Sequence, residues 1–393
     1  MSQTWMKLAV VGCATALALA MAEGVARWFE SQPKVEKVHY LTAYDPELGW
    51  SKEANRRVEN HTNEFDVVEE TNSQGLRGPE IPFEKPEGVY RVLMLGDSFL
   101  EGYTVSFDDL VSEQLREFMQ QGREETVEVI NGGTAGYSTD QELLFYRRDG
   151  RRYHPDRTVL MFYVNDVWFN RSERYWRGSK PRFVLEAGEL RLTNSPAPPP
   201  VEDEFAYAVS GGQGLARMVR QADARMGARS ALYRLARMAA TDSPFAKRWL
   251  IRAGLAEVPG EWKPWNAKPS QDLEEAWAVT EALLAQLRDE VEADGSTFTV
   301  FWVPSRAAVE PEDWQHTRRA YAMDGEDWDP AEDARMLERI CRRQKLDCIV
   351  PLERFREAAA NAEALYYRED AHWTPRGHAL AAEVMAERLQ AEE

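Results

Sequence analysis

Cysteine is scarce. Three residues, Cys13, Cys341 and Cys348, are too few for a disulfide framework, so an apolar core must hold the fold. Histidine is almost as sparse, and His39, His61, His154 and His316 show no metal-ligand spacing; no metal and no cofactor are expected. Positive charge is short as well. The 48 Lys and Arg stand against 66 Asp and Glu, a formal charge of −18, which excludes a general nucleic-acid binder because neutralising phosphates takes a basic surface. Internal repeats and long low-complexity tracts are missing, and long uncharged apolar runs are missing everywhere but at the N-terminus.

What is present suits a globular α/β protein. An apolar share of 44% in 393 residues fills one large α/β domain with insertions, or two domains. After Lys7, Leu8 to Ala22 is uncharged for about fifteen residues, the size of a signal-peptide core and slightly short of a membrane span. Residues 1–30 are therefore read as a signal anchor or a signal peptide. Ala20-Met21-Ala22 before Glu23 resembles a cleavage site, whereas an anchor would reach from Trp5 to Trp28. Either way the chain is expected to be exported: membrane-anchored and facing the periplasm or cell exterior, or secreted if the segment is cleaved. Cys341 and Cys348 are taken as two buried thiols, with pairing open if the chain is exported.

Residues 31–88 turn polar, with Pro and Gly at Asp45-Pro46, Gly78-Pro79 and Lys85-Pro86, and read as a spacer and an irregular cap. From Arg91 onward short apolar runs alternate with amphipathic helices, the signature of βαβ units on a parallel sheet. Five strands are expected, over 91–95, 127–130, 158–164, 297–303 and 348–350. Helices are expected near 108–121, 140–149, 272–293, 331–343 and 375–390, the last started by Thr374 as cap and Pro375 in first position. Between the third and fourth strands a detour of about a hundred residues, read as an insertion over 167–271, exceeds any ordinary connection. Its helical part carries Arg217, Arg220, Arg225, Arg229, Arg234, Arg237, Lys247, Arg248 and Arg252 against few acids. That is a solvated face paired to the acidic body, or a surface for anionic headgroups or an acidic partner.

The chemistry collects at strand ends, where open α/β sheets bind ligands. Gly96-Asp97-Ser98 follows the first strand directly, so the Ser98 hydroxyl stands on the turn into a helix. Serine needs a base, and the base needs a carboxylate to fix its tautomer; Asp370-Ala371-His372 supplies both from one loop. Donors for an oxyanion follow the next two strands: the glycine-rich Asn131-Gly132-Gly133-Thr134-Ala135-Gly136 and the amide of Asn165 in Asn165-Asp166. His378, on the first turn of the last helix, reads as a packing or capping residue.

These blocks, in this order, resemble the SGNH or GDSL-type hydrolases. Gly96-Asp97-Ser98 is similar to the family's first block, Asn131 to Gly136 to the second, Asn165-Asp166 to the third and Asp370-Ala371-His372-Trp373 to the last. The resemblance implies a three-layer α/β/α fold on a five-stranded parallel, flavodoxin-like sheet, with an N-terminal apolar helix and a helical insertion; residues 89–393 would be the hydrolase domain. It implies Ser98 as nucleophile and first oxyanion donor, Gly136 and Asn165 as the other donors, His372 as base and Asp370 as its orienter. Two departures stand out. Tyr163 occupies the third block's usual glycine, and a single residue stands between Asp370 and the histidine where two are usual, which makes Glu369 the reserve acid. The shorter spacing before a tryptophan resembles the branch acting on acetyl groups of bacterial surface polysaccharides.

The expected function is a serine ester hydrolase working through an acyl-enzyme, removing O-acyl, chiefly acetyl, groups from an envelope or extracellular glycan. An O-acyltransferase with the same triad, a lipid or small-ester hydrolase, and a non-catalytic envelope accessory protein are the alternatives. Expected partners are the ester-bearing glycan or a small acyl ester, the membrane through the N-terminal helix and, for a transferase, a membrane acyl-donor protein. Trp168, Tyr175, Trp176 and Trp373, with Phe169, form a sugar-stacking platform or pack the insertion onto the sheet.

Overall fold

The computed structural model describes residues 3–31, 38–200, 225–227, 229–254 and 256–391; Arg217 and Arg220 lie outside them. Contacts group the described residues into two units. One gathers those of Met1–Lys37, Val201–Glu257 and Ala320–Ala322; the other holds Val38–Pro200, Val258–Arg319 and Met323–Glu393.

The larger unit is built on five parallel strands: β1 (Val89–Leu95), β2 (Thr126–Asn131), β3 (Arg157–Phe162), β4 (Thr297–Trp302) and β5 (Asp347–Ile349). They lie in the order β5-β4-β3-β1-β2, so β1 and β3, which carry the serine and asparagine blocks, are neighbours, with Val92 opposite Arg157 and Leu95 opposite Leu160. The expected three-layer fold is what forms. Successive residues of β1 face opposite ways, as the pleat requires. Leu93 and Leu95 pack with Leu160, Phe162, Leu283, Leu287, Leu337 and Ile340 beneath helices Gln271–Ala293 and Glu332–Gln344. Val92 and Met94 pack with Val159, Met161, Leu115, Met119, Met385 and Leu389 beneath Val111–Gln120 and Pro375–Gln390. Both faces are covered, which explains why every residue of β3 is buried and why the strands read as unbroken apolar runs. Each core leucine removed to alanine would cost roughly 2–5 kcal/mol. Thr374 caps the last helix as expected, its hydroxyl accepting from the Gly377 N–H at 3.3 Å.

Two local expectations are corrected. Cys341 and Cys348 form a disulfide, with Cα atoms 6.4 Å apart, where two separate thiols were expected. The cause is the abrupt helix end: Lys345 takes a left-handed conformation (φ 54°) that turns the chain into β5 and brings Cys348 back beside Cys341. Within residues 38–88 the irregular chain gives way to two antiparallel hairpins, Thr42–Asp45 with Gly49–Lys52 and Arg57–His61 with Asp66–Glu70. In the second, Val58, Asn60, Val67 and Glu69 turn inward, and the Asn60 amide donates to the Glu69 carboxylate at 2.8 Å. Two of the four inward positions are polar, so no apolar alternation marked the strands.

One buried acid couples the fold to pH. Asp333 is 1% exposed and accepts the Trp302 indole N–H at 2.7 Å; burial pushes its carboxyl up to about 7, against the pull of that bond. A folded-state value above the unfolded one means that the folded protein binds more protons between pH 4 and 7, so stability falls as pH rises through that window, by up to about 1.4 kcal/mol per unit. Asp333→Asn, which keeps an acceptor for Trp302, is expected to gain stability relative to the parent at pH 8 and to lose that advantage at pH 5. Urea melts at the two pH values check it.

Candidate active site

The carboxyl ends of β1, β2 and β3 deliver the first three blocks to one edge of the sheet. After β1, Asp97 caps the short helix Ser98–Glu101, its carboxylate accepting the Phe99 N–H at 2.9 Å. Gly96 lets the turn pack closely, since a Cβ would lie 3.1 Å from both Leu100 and Met161, tighter than ordinary contact. The cap leaves Ser98 at the helix start, partly exposed. Its Oγ lies 2.8 Å from His372 Nε2, and His372 Nδ1 lies 2.6 Å from Asp370 Oδ1. The three groups expected from opposite ends of the chain therefore meet in one hydrogen-bonded line. Asp370 and His372 are only 20% and 23% exposed, so the line opens to solvent without being washed by it.

The acid loop is a tight turn. The Tyr367 N–H donates to the His372 carbonyl at 2.9 Å, Tyr366 bridges Trp373, and Ala371 takes a left-handed conformation (φ 67°). That conformation brings the Asp370 carboxylate onto the ring two residues on. Burial alone would raise the Asp370 carboxyl; the hydrogen bond and charge of His372, together with the Tyr103 hydroxyl, hold it below the usual carboxylate range. Glu369 is exposed, and no contact joins its carboxylate to His372 among the described residues. His378 is buried, accepts the Val111 N–H on Nδ1 at 3.2 Å and is pushed down to about 3 by burial and by the charge of Arg77. It is a packed, neutral ring.

Sequence reading missed the residues that hold this line. The Tyr103 hydroxyl lies 2.9 and 2.8 Å from the two Asp370 oxygens and 3.1 Å from His372 Nδ1. The Glu64 carboxylate accepts the N–H groups of Arg368, Glu369 and Asp370 at 2.7–3.0 Å, pinning the acid loop. Neither residue belongs to a motif; the one signal was Gly102, whose left-handed φ of 69° ends the serine helix and turns Tyr103 back. Tyr103→Phe removes a hydrogen bond to a charged group, worth about 1.5–3 kcal/mol, so kcat should fall about tenfold or more with KM little changed. Steady-state kinetics on an acetyl ester reads this directly.

The second block turns beneath Trp176. Asn131 holds the turn, donating to the Leu100 carbonyl at 2.8 Å and accepting the Gly133 N–H at 3.0 Å. Trp50 donates to the Ala135 carbonyl at 2.9 Å, buried Lys52 donates to the Gly133 carbonyl, and the Glu101 carboxylate accepts the Ala135 N–H at 2.7 Å. Burial, with the nearby Arg77 charge, lowers the Lys52 amine to about 8 against the pull of Glu101 and Glu69. Gly136 has φ 75°, and a Cβ there would come within 2.9 Å of the Trp176 ring. Among the described residues its N–H has no acceptor. Gly136→Ala should cost about 1–2 kcal/mol in backbone strain, displace Trp176 and lower kcat/KM at least as much as it lowers stability; thermal melts beside kinetics separate the two.

In the third block Asn165 is 6% exposed, and its amide nitrogen lies 3.3 Å from Asp97 Oδ2 and 3.5 Å from the Tyr175 hydroxyl. Both contacts are long, and its Oδ1 has no partner among the described residues. Burial raises Asp97 to about 6, against the Phe99 N–H and the His372 charge; Glu142 and Asp166 are raised well above the usual range by burial and by neighbouring acids. Tyr163, in place of the usual glycine, lays its ring 4.7 Å from Phe99 and continues the core.

The aromatic candidates separate. Trp373 is fully buried, packed between Phe99 at 5.0 Å and Phe355 at 5.6 Å; this corrects its reading as a sugar platform, because no face of it is open. Trp168 is flanked by Lys263 at 4.2 Å and Arg171 at 5.5 Å, and Tyr175 stacks on Phe169 at 3.5 Å. Trp176, 40% exposed and lying on Gly136, is the open ring of the four.

Comparison with known proteins follows the same lines. Residues 262–393 match the family described as the SGNH hydrolase-like domain of the acetyltransferase AlgX. No curated protein matches. Among solved structures, a lipase/acylhydrolase from Enterococcus faecalis is 13% identical, with 77% of this chain and 96% of that one covered at a TM-score of 0.38. A mutant acetylxylan esterase from Geobacillus stearothermophilus is 12% identical, with 76% and 93% covered at 0.38. These likenesses are remote, and the matched residues 262–393 include the whole acid–base loop and the last two strands. The chain is thus similar to an SGNH hydrolase-like domain over its last third, residues 262–393.

Proposed function

We propose that the protein moves acyl groups through an acyl-serine on Ser98, with an O-acetyl group on an envelope or extracellular glycan as substrate. The observation that carries this reading is the continuous line Ser98 Oγ to His372 Nε2 at 2.8 Å and His372 Nδ1 to Asp370 at 2.6 Å. Ser98 Oγ bonds to the ester carbonyl carbon as its proton passes to His372, and Asp370 stabilises the imidazolium that forms. The N–H groups of Ser98 and Gly136 and the Asn165 amide receive the oxyanion; among the described residues the Gly136 N–H has no acceptor and the Asn165 amide makes only long contacts, at 3.3 and 3.5 Å. Collapse breaks the ester bond, and the leaving alcohol takes the proton from His372. Water or a sugar hydroxyl then attacks the acyl-serine by the reverse steps.

Several features support an exported, glycan-directed role. The helix Gln3–Ser31 holds a stretch, Val10–Trp28, long and apolar enough to cross a membrane. The Cys341–Cys348 bond suits an oxidising compartment. Trp176 is 40% exposed beside Gly136, with the Arg177 guanidinium 5.1 Å over its ring, and gives a partly open aromatic surface for a sugar. Transfer to a sugar hydroxyl is the second reading, favoured because the matched family is described as an acetyltransferase. Partition of an activated acetyl ester in the presence of an acceptor glycan tests the pair. Acetate alone identifies an esterase, acetylated glycan a transferase, and neither product from folded protein refutes both.

A further inference from the structure

We propose that the helical pair Ala231–Asp242 and Pro244–Arg252 lies in the plane of an anionic lipid surface, as a second membrane contact beside helix Gln3–Ser31. This rests on reading that helix as the membrane anchor. All three helices belong to the smaller unit.

The anchor sets the level. Val10, Val11, Leu17, Leu19, Met21 and Val25 are each more than half exposed, so none of the described residues covers this side of the apolar helix. Met6 and Trp28, both 58% exposed, are separated by about 33 Å along a helix, close to the roughly 30 Å of a hydrocarbon core. Trp28 then belongs at one headgroup layer, where tryptophan collects.

Glu23 ties the second element to that level. Its carboxylate accepts the Ser230 hydroxyl at 2.7 Å, the Ala231 N–H at 2.9 Å and the Leu232 N–H at 3.0 Å, while pairing with Arg27 at 2.9 Å. It thus serves as the N-terminal cap of Ala231–Asp242, borrowed from another helix, and satisfies donors that would otherwise be orphaned. An acid is costly at membrane depth unless its charge is used in this way. Glu23 lies about 8 Å along the axis from Trp28, so the capped helix starts about 8 Å below that layer, within the depth at which an in-plane helix buries its apolar face.

The exposed chemistry of the pair fits that placement. Phe245 is 80% and Trp249 56% exposed, one turn apart on one face, and Met226 and Met238 are 47% and 54% exposed. Residues 225–252 carry seven Arg and Lys against the single acid Asp242, in a chain of net charge −18. Large aromatic and apolar side chains out in solvent, interleaved with a local excess of cations, are the composition of an in-plane interfacial helix, and the cations complement anionic headgroups.

The test uses the full chain reconstituted in phosphatidylcholine vesicles with or without phosphatidylglycerol. Cys13, exposed in the middle of the anchor, is the native reporter for the span. With Cys341 and Cys348 bonded, Cys13→Ser plus Trp249→Cys leaves one free thiol for a bimane probe. We expect Cys13 to resist a membrane-impermeant maleimide. The probe at 249 should be quenched by shallow doxyl lipid, with quenching about twofold or more stronger when phosphatidylglycerol is present. Cys13 protected with position 249 unquenched in both lipids overturns the in-plane contact and leaves the anchor standing. A reactive Cys13 removes the anchor and this inference with it. Shielding at 249 that needs added membrane protein assigns the surface to a protein and overturns the lipid reading.

Discussion

Ser98→Ala should lower kcat on a simple acetyl ester by about a million-fold, and His372→Ala by a similar factor, because a hydroxyl without its base and a base without its hydroxyl are equally idle. The double variant should be no worse than either single one. That non-additivity follows from the 2.8 Å bond between Ser98 Oγ and His372 Nε2, which makes the two side chains one device. The activity that remains, about 10³–10⁴ over water, would come from the oxyanion donors and from binding. Ser98 is partly exposed on a capped helix start and His372 is 23% exposed, so neither truncation should unfold the protein. Steady-state kinetics beside near-ultraviolet circular dichroism checks both statements; a Ser98→Ala protein retaining a tenth of the activity would contradict them.

The second large effect separates two adjacent acids. Asp370→Asn should cost about 10⁴ in kcat, because the amide leaves His372 in the wrong tautomer and removes the charge facing the imidazolium. Glu369→Gln should change kcat less than about twofold, as its exposed carboxylate contacts nothing on the ring and surface substitutions are usually near neutral. The Asp370 carboxyl is held below its ordinary range by His372 and Tyr103 despite burial, so it is already ionised at pH 5. Its protonation should therefore leave no mark on the rate profile between pH 5 and 9. A glutamine at 369 that abolishes activity while asparagine at 370 spares it would reverse the assignment.

The difference between what could and could not be read from the chain is physical. The five strands were legible because a parallel strand covered on both faces is apolar at every position, as along Arg157–Phe162, where even the arginine and threonine are buried. Ser98, Asn165 and His372 were legible because each is tied to a strand end or a short spaced block. The hairpin Arg57–His61 with Asp66–Glu70 was not, because its inward face pairs Asn60 with Glu69 rather than apolar side chains. Tyr103 and Glu64 were not, because their role arises from chain segments that meet only after folding: Glu64 lies 306 residues before the Asp370 N–H it accepts. The disulfide depended on one left-handed lysine at a helix end, which no periodicity announces. Trp373 was misjudged for a related reason, since a tryptophan beside a catalytic block has the same letters whether it faces substrate or the core.

The claim on which the rest depends is that Ser98 is an activated nucleophile, and covalent labelling tests it most directly. Native protein is treated with a fluorophosphonate and the modified peptide identified by mass spectrometry. The account predicts one adduct per chain, on Ser98, absent from Ser98→Ala and slowed by orders of magnitude in His372→Ala. Folded protein that takes no label, or that takes it on a different serine at an undiminished rate after His372 is removed, would contradict it.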